Sequence, residues 1–435
     1  MISPARVLLI TFIAGILLGT IFLALPQAST TGKTIGLLNA LFTSTSAICV
    51  TGLIVVDTAK DFTLLGKLVI LFLIQIGGLG IMTFSTAFFL LIKKNLSLKE
   101  KLYLKEDTNK LEIGDIRSFI KTLVVMALVI ELLGAIIMFP VFYKDFKLVT
   151  AIKHSVFQSV SAFCNAGFST FSDSLCRYSD SIVINFTIMI LIILGGIGFI
   201  VISEVIHFRK NKRISLHTKL VIKMTLFLII IGTVLFFAFE YSNKPVQLST
   251  TNKLLNSLFQ SVTTRTAGFN TIDFSNLNNA TIFVIIILMF IGASPGSTGG
   301  GIKTTTIALI IYSIFNTFKG LDSVDIDRKH ISSELVLKSY MLTAIYIITS
   351  IFFILCLLHT DHVLGFKNII FEVISAIGTV GLSLGITYKL SALGKIIIIL
   401  AMFVGRVGPL TLVSGIQFAS NKTMIKYPEE KISIG

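Results

Sequence analysis

Four segments of the chain carry one pattern: LNALFTSTSAICVTGL, KHSVFQSVSAFCNAGF, LNSLFQSVTTRTAGFN and KNIIFEVISAIGTVGL. Aligned on Gly52, Gly167, Gly268 and Gly381, each has a phenylalanine nine or ten residues earlier (Phe42, Phe157, Phe259, Phe371) and Leu or Phe directly after the glycine. FQSV occurs at 157–160 and again at 259–262, and Ser-Ala recurs at 46–47, 161–162 and 375–376. Successive glycines stand 115, 101 and 113 residues apart. Recurrence of this kind marks an internal fourfold repeat and constrains the architecture more than any local motif.

Each copy lies between two apolar runs long enough to cross a bilayer, which takes roughly 20 residues. The runs fall near 5–25 and 64–92, 119–142 and 182–208, 217–240 and 280–317, and 335–358 and 391–417. The chain is 54% hydrophobic and 14% charged, where a soluble domain carries roughly a quarter charged residues. An integral membrane protein is expected: all-α, eight transmembrane helices and four re-entrant pore helices, pseudo-fourfold about a central pore. The units are 1–92, 93–208, 209–317 and 318–435. Residues 7–25 read as a retained first span because only Arg6 precedes them and no small-residue cleavage site follows. Cys49, Cys164, Cys176 and Cys356 form no CxxC pair, so neither a zinc site nor a disulfide framework is indicated.

The net charge of +15 is concentrated where topology wants it. Stretch 93–117 holds seven Lys/Arg, 209–219 holds five, 318–333 holds three and the tail after Phe418 holds three. Short basic loops stay cytoplasmic, which puts both termini in the cytosol of a multi-pass protein of the cell membrane, in contact with lipid. Nucleic-acid binding is not needed to explain the charge.

The short segments are too polar to cross. Irregular backbone at membrane depth is tolerated only where protein encloses it or a wet cavity lies beside it. A helix of about ten residues can dip in and end near the midplane, its C-terminus favouring a cation. The chain then turns back extended, and glycine lets its carbonyls point inward. Four such turns around one axis make a ring of oxygens suited to a dehydrated monovalent cation. The candidates are Val50-Thr51-Gly52, Asn165-Ala166-Gly167, Thr266-Ala267-Gly268 and Thr379-Val380-Gly381.

CVTGL (49–53), CNAGF (164–168), TRTAGFNT (264–271), GTVGL (378–382), GASPGSTGGGIKT (292–304) and VGRVGP (404–409) together resemble the Trk/Ktr/HKT superfamily of potassium transporters over essentially the whole chain. The likeness is greatest to the Ktr-type membrane subunit, since no further pair of spans precedes the first repeat. The resemblance implies potassium uptake through a single-chain pore with K⁺ bound at the filter. It also implies homodimers and a cytosolic ring of nucleotide-binding regulatory subunits. Sodium stays open as a coupling or activating ion. In related plant transporters serine at the first filter glycine accompanies sodium preference; here Gly52 favours potassium.

The glycine-rich stretch at 292–304 looks like a phosphate-binding loop, but Ile302 separates Gly301 from Lys303 and no soluble strand precedes it. A deliberate break in the second span of repeat three is the better reading. Gly292, Ala293, Ser294, Pro295, Gly296, Ser297, Thr298, Gly299, Gly300 and Gly301 dismantle the helix, and such a segment can hold more than one arrangement. In the resembling family this loop lies under the filter and obstructs the path. Arg406 within the last span is costly unless partnered; it is expected to donate to carbonyls freed in 292–301 and, with Lys303, to complete the gate. Arg265 and Glu372 flank filters and either pair or stand apart. Glu131, Glu204 and Glu240 are read chiefly as structural hydrogen-bonding groups. The competing readings are a secondary transporter of another solute with discontinuous helices and a sodium-conducting relative; an enzyme is not indicated.

Overall fold

The computed structural model describes residues 4–80, 116–211, 214–241, 249–321 and 323–409. Residues 93–115 of the basic stretch 93–117 and the tail after Phe418, with the ends of the spans expected at 64–92 and 391–417, lie outside the described residues. The helices in chain order are α1 (Pro4–Ala24), α2 (Leu37–Ile48), α3 (Leu64–Leu79), α4 (Ile116–Asp145), α5 (Leu148–Phe163), α6 (Ile182–Gly196) and α7 (Phe199–Asn211). They continue as α8 (Leu216–Tyr241), α9 (Thr250–Thr263), α10 (Asn279–Phe290), α11 (Thr304–Phe318), α12 (Ser333–Asp361), α13 (Phe366–Ile377) and α14 (Ala392–Val407). A small antiparallel hairpin, β1 (Val324–Ile326) with β2 (Lys329–Ile331), joins α11 to α12.

The fold is a helical membrane fold. Among the described residues, four helices are long and apolar enough to cross a membrane, and up to five spans result if the bent pair α6–α7 counts as one. These four are α1, α4, α8 and α12, and each turns large apolar side chains outward, among them Leu17, Leu132, Ile230 and Ile348. A surface of that kind belongs against lipid.

Each long helix is followed by a short one (α2, α5, α9, α13), and in the first three copies the pair packs through a close approach of small groups. Ser44 and Ser261 donate their hydroxyls to the carbonyls of Ile16 and Ile229, both at 2.8 Å, and Ser159 does the same to Glu131. The facing residues are Gly19, Gly134 and Gly232, where a methyl group would strike those serines. Small residues admit the short helix at backbone distance. The recurring phenylalanines Phe42, Phe157, Phe259 and Phe371 anchor the buried side, none more than 4% exposed.

The next helix begins at a polar cap: Thr63 for α3, Ser181 for α6 and Ser391 for α14 accept from Gly66, Ile184 and Gly394 amides. Carboxylates reinforce two of these starts, as expected at the positive end of a helix. Glu240 accepts from the Asn278 amide (3.1 Å) and Thr281 hydroxyl (2.9 Å) at α10, and Asp361 accepts from the Ser391 amide (2.7 Å) at α14. Glu131 is held by the Gln75 amide at 3.0 Å, and Glu204 by the Ser215 amide at 3.0 Å. These carboxyls therefore have structural partners.

The sequence expects one uninterrupted span at 182–208; the structure breaks it, and α6 and α7 meet at a bend of 102°. The cause is Gly198, at φ +95°, a backbone hand that glycine adopts freely. α3 and α14 also end on left-handed glycines, Gly80 (φ +86°) and Gly408 (φ +89°). Each lies three residues after a glycine that packs on a short helix: Gly77 on Ile48, Gly195 on Phe163 and Gly405 on Ile377, in each case against the backbone carbonyl.

A side chain at Gly195 has nowhere to go. Gly195→Val is expected to lower stability by about 1–3 kcal/mol, as for an overpacked core. Thermal unfolding of the purified protein in detergent checks this; a midpoint equal to wild type would contradict the packing described.

Candidate functional site

All four short helices end alike. After each C-terminal cap (Cys49, Cys164, Thr264, Gly378) the chain enters a left-handed residue: Val50 (φ +55°), Asn165 (φ +59°), Thr266 (φ +67°) and Thr379 (φ +50°). Two positions on, Gly52 (+92°), Gly167 (+69°), Gly268 (+78°) and Gly381 (+89°) repeat the hand. Left-handed geometry at a β-branched residue is a true outlier, so Val50, Thr266 and Thr379 are held against their preference by what surrounds them.

The helix ends hold these turns. Thr51, Ala166 and Val380 donate their amides to the carbonyls of Ser46, Ser161 and Ser375, all at 2.8 Å. The Ser46 and Ser375 hydroxyls take the Gly52 and Gly381 amides, each at 3.1 Å. The Ser161 and Thr263 hydroxyls instead donate to the carbonyls of Phe168 (2.7 Å) and Phe269 (2.6 Å). This is why Ser-Ala recurs in the sequence: the serine closes the turn. The third copy, shorter by one residue, uses Thr263 and donates Ala267 back to it at 3.0 Å. Leu53, Phe168, Phe269 and Leu382 then plug the outgoing chain into the core, none more than 2% exposed.

The four glycines stand in a closed ring. A methyl group on Gly52 would lie 2.5 Å from the Ala166 carbonyl oxygen and 3.1 Å from the Gly167 Cα. One on Gly167 would lie 2.8 Å from the Ala267 oxygen, and one on Gly268 2.5 Å from the Val380 oxygen. One on Gly381 would strike the Thr51 oxygen and come 2.9 Å from the Gly52 Cα, which returns to the start. Four equivalent peptide oxygens, from Thr51, Ala166, Ala267 and Val380, therefore face one another's glycines about a common centre.

Segment 292–301 lies against this ring. Gly292 donates to the Ile302 carbonyl (2.9 Å) and Ala293 to that of Gly300 (3.3 Å), closing the base of the loop. Its tip meets the left-handed residues, since Gly299 abuts the Thr266 side chain and the Gly300 amide donates to the Thr379 hydroxyl at 3.0 Å. Two basic side chains take adjacent loop carbonyls: Arg406 donates to Thr298 and also to Gly77, and Lys303 donates to Gly299 at 2.8 Å.

The break between α6 and α7 completes the arrangement. Ser294 donates to the Gly196 carbonyl (2.9 Å), Thr298 to that of Gly195 (3.1 Å), and Phe199 returns a bond to Gly296 (3.0 Å). Each interruption thus supplies the partners the other lacks. The sequence signal for this break is GGIG at 195–198, whose last glycine stands three residues after the one that packs on the short helix, as in the first and fourth copies.

Arg265 and Glu372 do not meet. The Glu372 carboxylate accepts from the Ser383 hydroxyl (2.7 Å) and Thr387, bracing the chain after the fourth glycine. Arg265 is 4% exposed, and its Nε and Nη2 have no partner among the described residues. All four cysteines are free. In the loop before α6, burial and then the carboxylates of Asp173 and Asp273 push the Cys176 thiol up to about 11, so it stays protonated at neutral pH.

A family model described as cation transport protein, TrkH, matches residues 11–424. The Ktr system potassium uptake protein B of Bacillus subtilis is 40% identical over 436 residues, 100% of this chain and 97% of that protein. The potassium/sodium uptake protein NtpJ of Enterococcus hirae is 36% identical over 100% of this chain and 98% of its own length. Among solved structures, the potassium transporter TrkH from Vibrio parahaemolyticus matches with a TM-score of 0.73 at 19% identity, covering 93% of this chain and 84% of that one, a likeness of fold.

A methyl group at Gly198 would stand 2.6 Å from the Pro295 carbonyl oxygen. Gly198→Ala is expected to release the loop and speed amide hydrogen exchange at Ser294, Thr298 and Phe199. Gly296→Ala brings the same kind of positive-φ strain (φ +67°) but meets no neighbouring atom, and so serves as the comparison for the contact. Equal exchange in both variants would show that the two breaks do not hold each other.

Proposed function

The chain belongs to the TrkH family of cation transport proteins, and we propose that it carries potassium through the centre of the four-glycine ring. Monovalent cation uptake is the activity its relatives are named for; the pathway and its gate belong to this proposal. The observation that carries it is the closed cycle Gly52, Gly167, Gly268, Gly381, in which each glycine stands against a peptide oxygen of the next copy. Carbonyls so placed replace the hydration shell of a dehydrated alkali ion, and the C-termini of α2, α5, α9 and α13 add partial negative charge. The filter comprises residues 50–52, 165–167, 266–268 and 379–381. We read the four helical successions as four units contributing eight crossings.

Loop 292–301 is the gate. It lies against Thr266 and Thr379, where it closes the way below the ring, while Arg406 and Lys303 fasten its carbonyls and raise an electrostatic barrier to cations. Opening requires those bonds to be exchanged. Both termini are placed in the cytosol by the basic loops. A homodimer with cytosolic nucleotide-binding subunits docked on the 209–219 loop and the tail is the assembly implied. Sodium remains an alternative cargo because a relative 36% identical is named a potassium/sodium uptake protein.

Expression in a strain lacking potassium uptake is expected to restore growth at low potassium, with excess sodium competing only weakly. Gly52→Ser is expected to weaken that discrimination. Arg406→Ala, and separately deletion of Gly296–Gly300, should raise rubidium flux into proteoliposomes without any regulatory partner. Flux no higher than wild type in folded protein would remove the gating assignment. Failure of potassium to rescue growth, with uptake of another solute, would remove the cargo.

A further inference from the structure

Below the carbonyl ring lies a second set of oxygens that the filter reading does not use. The left-handed residues Asn165, Thr266 and Thr379 are fully buried and carry polar side chains. The Asn165 amide is satisfied with its nitrogen donating to the carbonyls of Ala162 (3.0 Å) and Ile192 (3.2 Å), an orientation assigned from its surroundings. This turns its oxygen to the Thr266 hydroxyl, 3.3 Å away. Thr379 presents its hydroxyl oxygen to the Gly300 amide. The fourth position is Val50, which offers no oxygen and lies against Gly77, so three of the four positions contribute.

These are neutral hydroxyl and amide oxygens. Among the described residues no group of three His, Cys, Asp or Glu side chains is placed to hold a metal, so nothing here supplies the carboxylates a divalent ion prefers. A weak-field set of this kind suits a monovalent cation that keeps part of its water. The loop now stands on the same atoms: Gly300 donates to the Thr379 oxygen and Gly299 packs on the Thr266 side chain. The residues carrying the basic contacts are adjacent, with Arg406 on Thr298 and Lys303 on Gly299. An ion at this level would need the oxygen the loop amide holds and would repel both basic groups.

Resting on the pore reading above, we infer that the side-chain oxygens of Asn165, Thr266 and Thr379 form a monovalent-cation site directly beneath the carbonyl ring, and that the ion and loop 292–301 compete for it. Potassium arriving from the filter then displaces the loop, and a docked loop empties the site. The coupling is reciprocal by linkage. The gate answers to its own cargo.

The test uses the full-length purified protein with cysteine at Ser297 as reporter. Modification of residue 297 by N-ethylmaleimide is followed by peptide mass spectrometry in potassium chloride and in choline chloride at equal ionic strength. Potassium is expected to speed modification by about fivefold or more, the lower range of ordinary couplings. Thr266→Val with Thr379→Val, close in shape but without hydroxyls, should abolish the potassium effect, and Thr379→Ser should keep it. Elution as a single folded species qualifies each variant. A potassium effect that is absent in the parent, or that survives in the double valine variant, overturns the site. Rubidium flux in Gly268→Ala separates this from the pore reading. Impaired flux there together with potassium-insensitive modification removes only the lower site, whereas unimpaired flux removes the carbonyl ring on which it rests.

Discussion

Peptide carbonyls that leave a helix at membrane depth must find an ion, water or another stretch of chain, because hydrocarbon offers them nothing. Two families of such groups occur here, and they are satisfied differently. The oxygens of Thr51, Ala166, Ala267 and Val380 each lie against the glycine of a neighbouring copy in one closed cycle, where the proposed pathway would supply a cation as partner. Those freed at 195–198 and 292–301 pair with each other and with Arg406 and Lys303. Keeping these two sets apart, one open to an ion and one closed on itself, is what the glycine placements achieve.

The sequence made the recurring half of this structure readable. Phe42 and its counterparts, the Ser-Ala pairs and the four glycines each do one job four times, so repetition exposes them. What it hid was specific to one copy or depended on direction in space. GGLG and GGIG look interchangeable as packing motifs, yet Gly198 bends its span by 102°, and only coordinates show which carbonyls its neighbours reach. Arg265 and Glu372 invited pairing by charge alone. The structure instead gives Glu372 to Ser383 and Thr387, hydroxyls on the chain that follows the same filter.

The copies also diverge where function asks for asymmetry. Three of the left-handed positions bear a polar side chain and one bears Val50, and one second span carries the ten-residue interruption 292–301 where the span at 182–208 bends at the single glycine Gly198. A fourfold scaffold can tolerate this because its shared contacts lie in the short helices and their caps. The unshared ones lie in the second spans and the loop 292–301.

The joint between the α6–α7 bend and the loop has a mechanical character. Its three backbone hydrogen bonds, Ser294 to Gly196, Thr298 to Gly195 and Phe199 to Gly296, link two short segments side by side. Load applied through α7 is shared among them instead of unzipping one after another, so small tugs are absorbed and a sufficient one parts all three together. Net worth of such bonds is about 1 kcal/mol apiece, so the joint as a whole is held by only a few of them. A lever built this way responds in a step, with little motion before release.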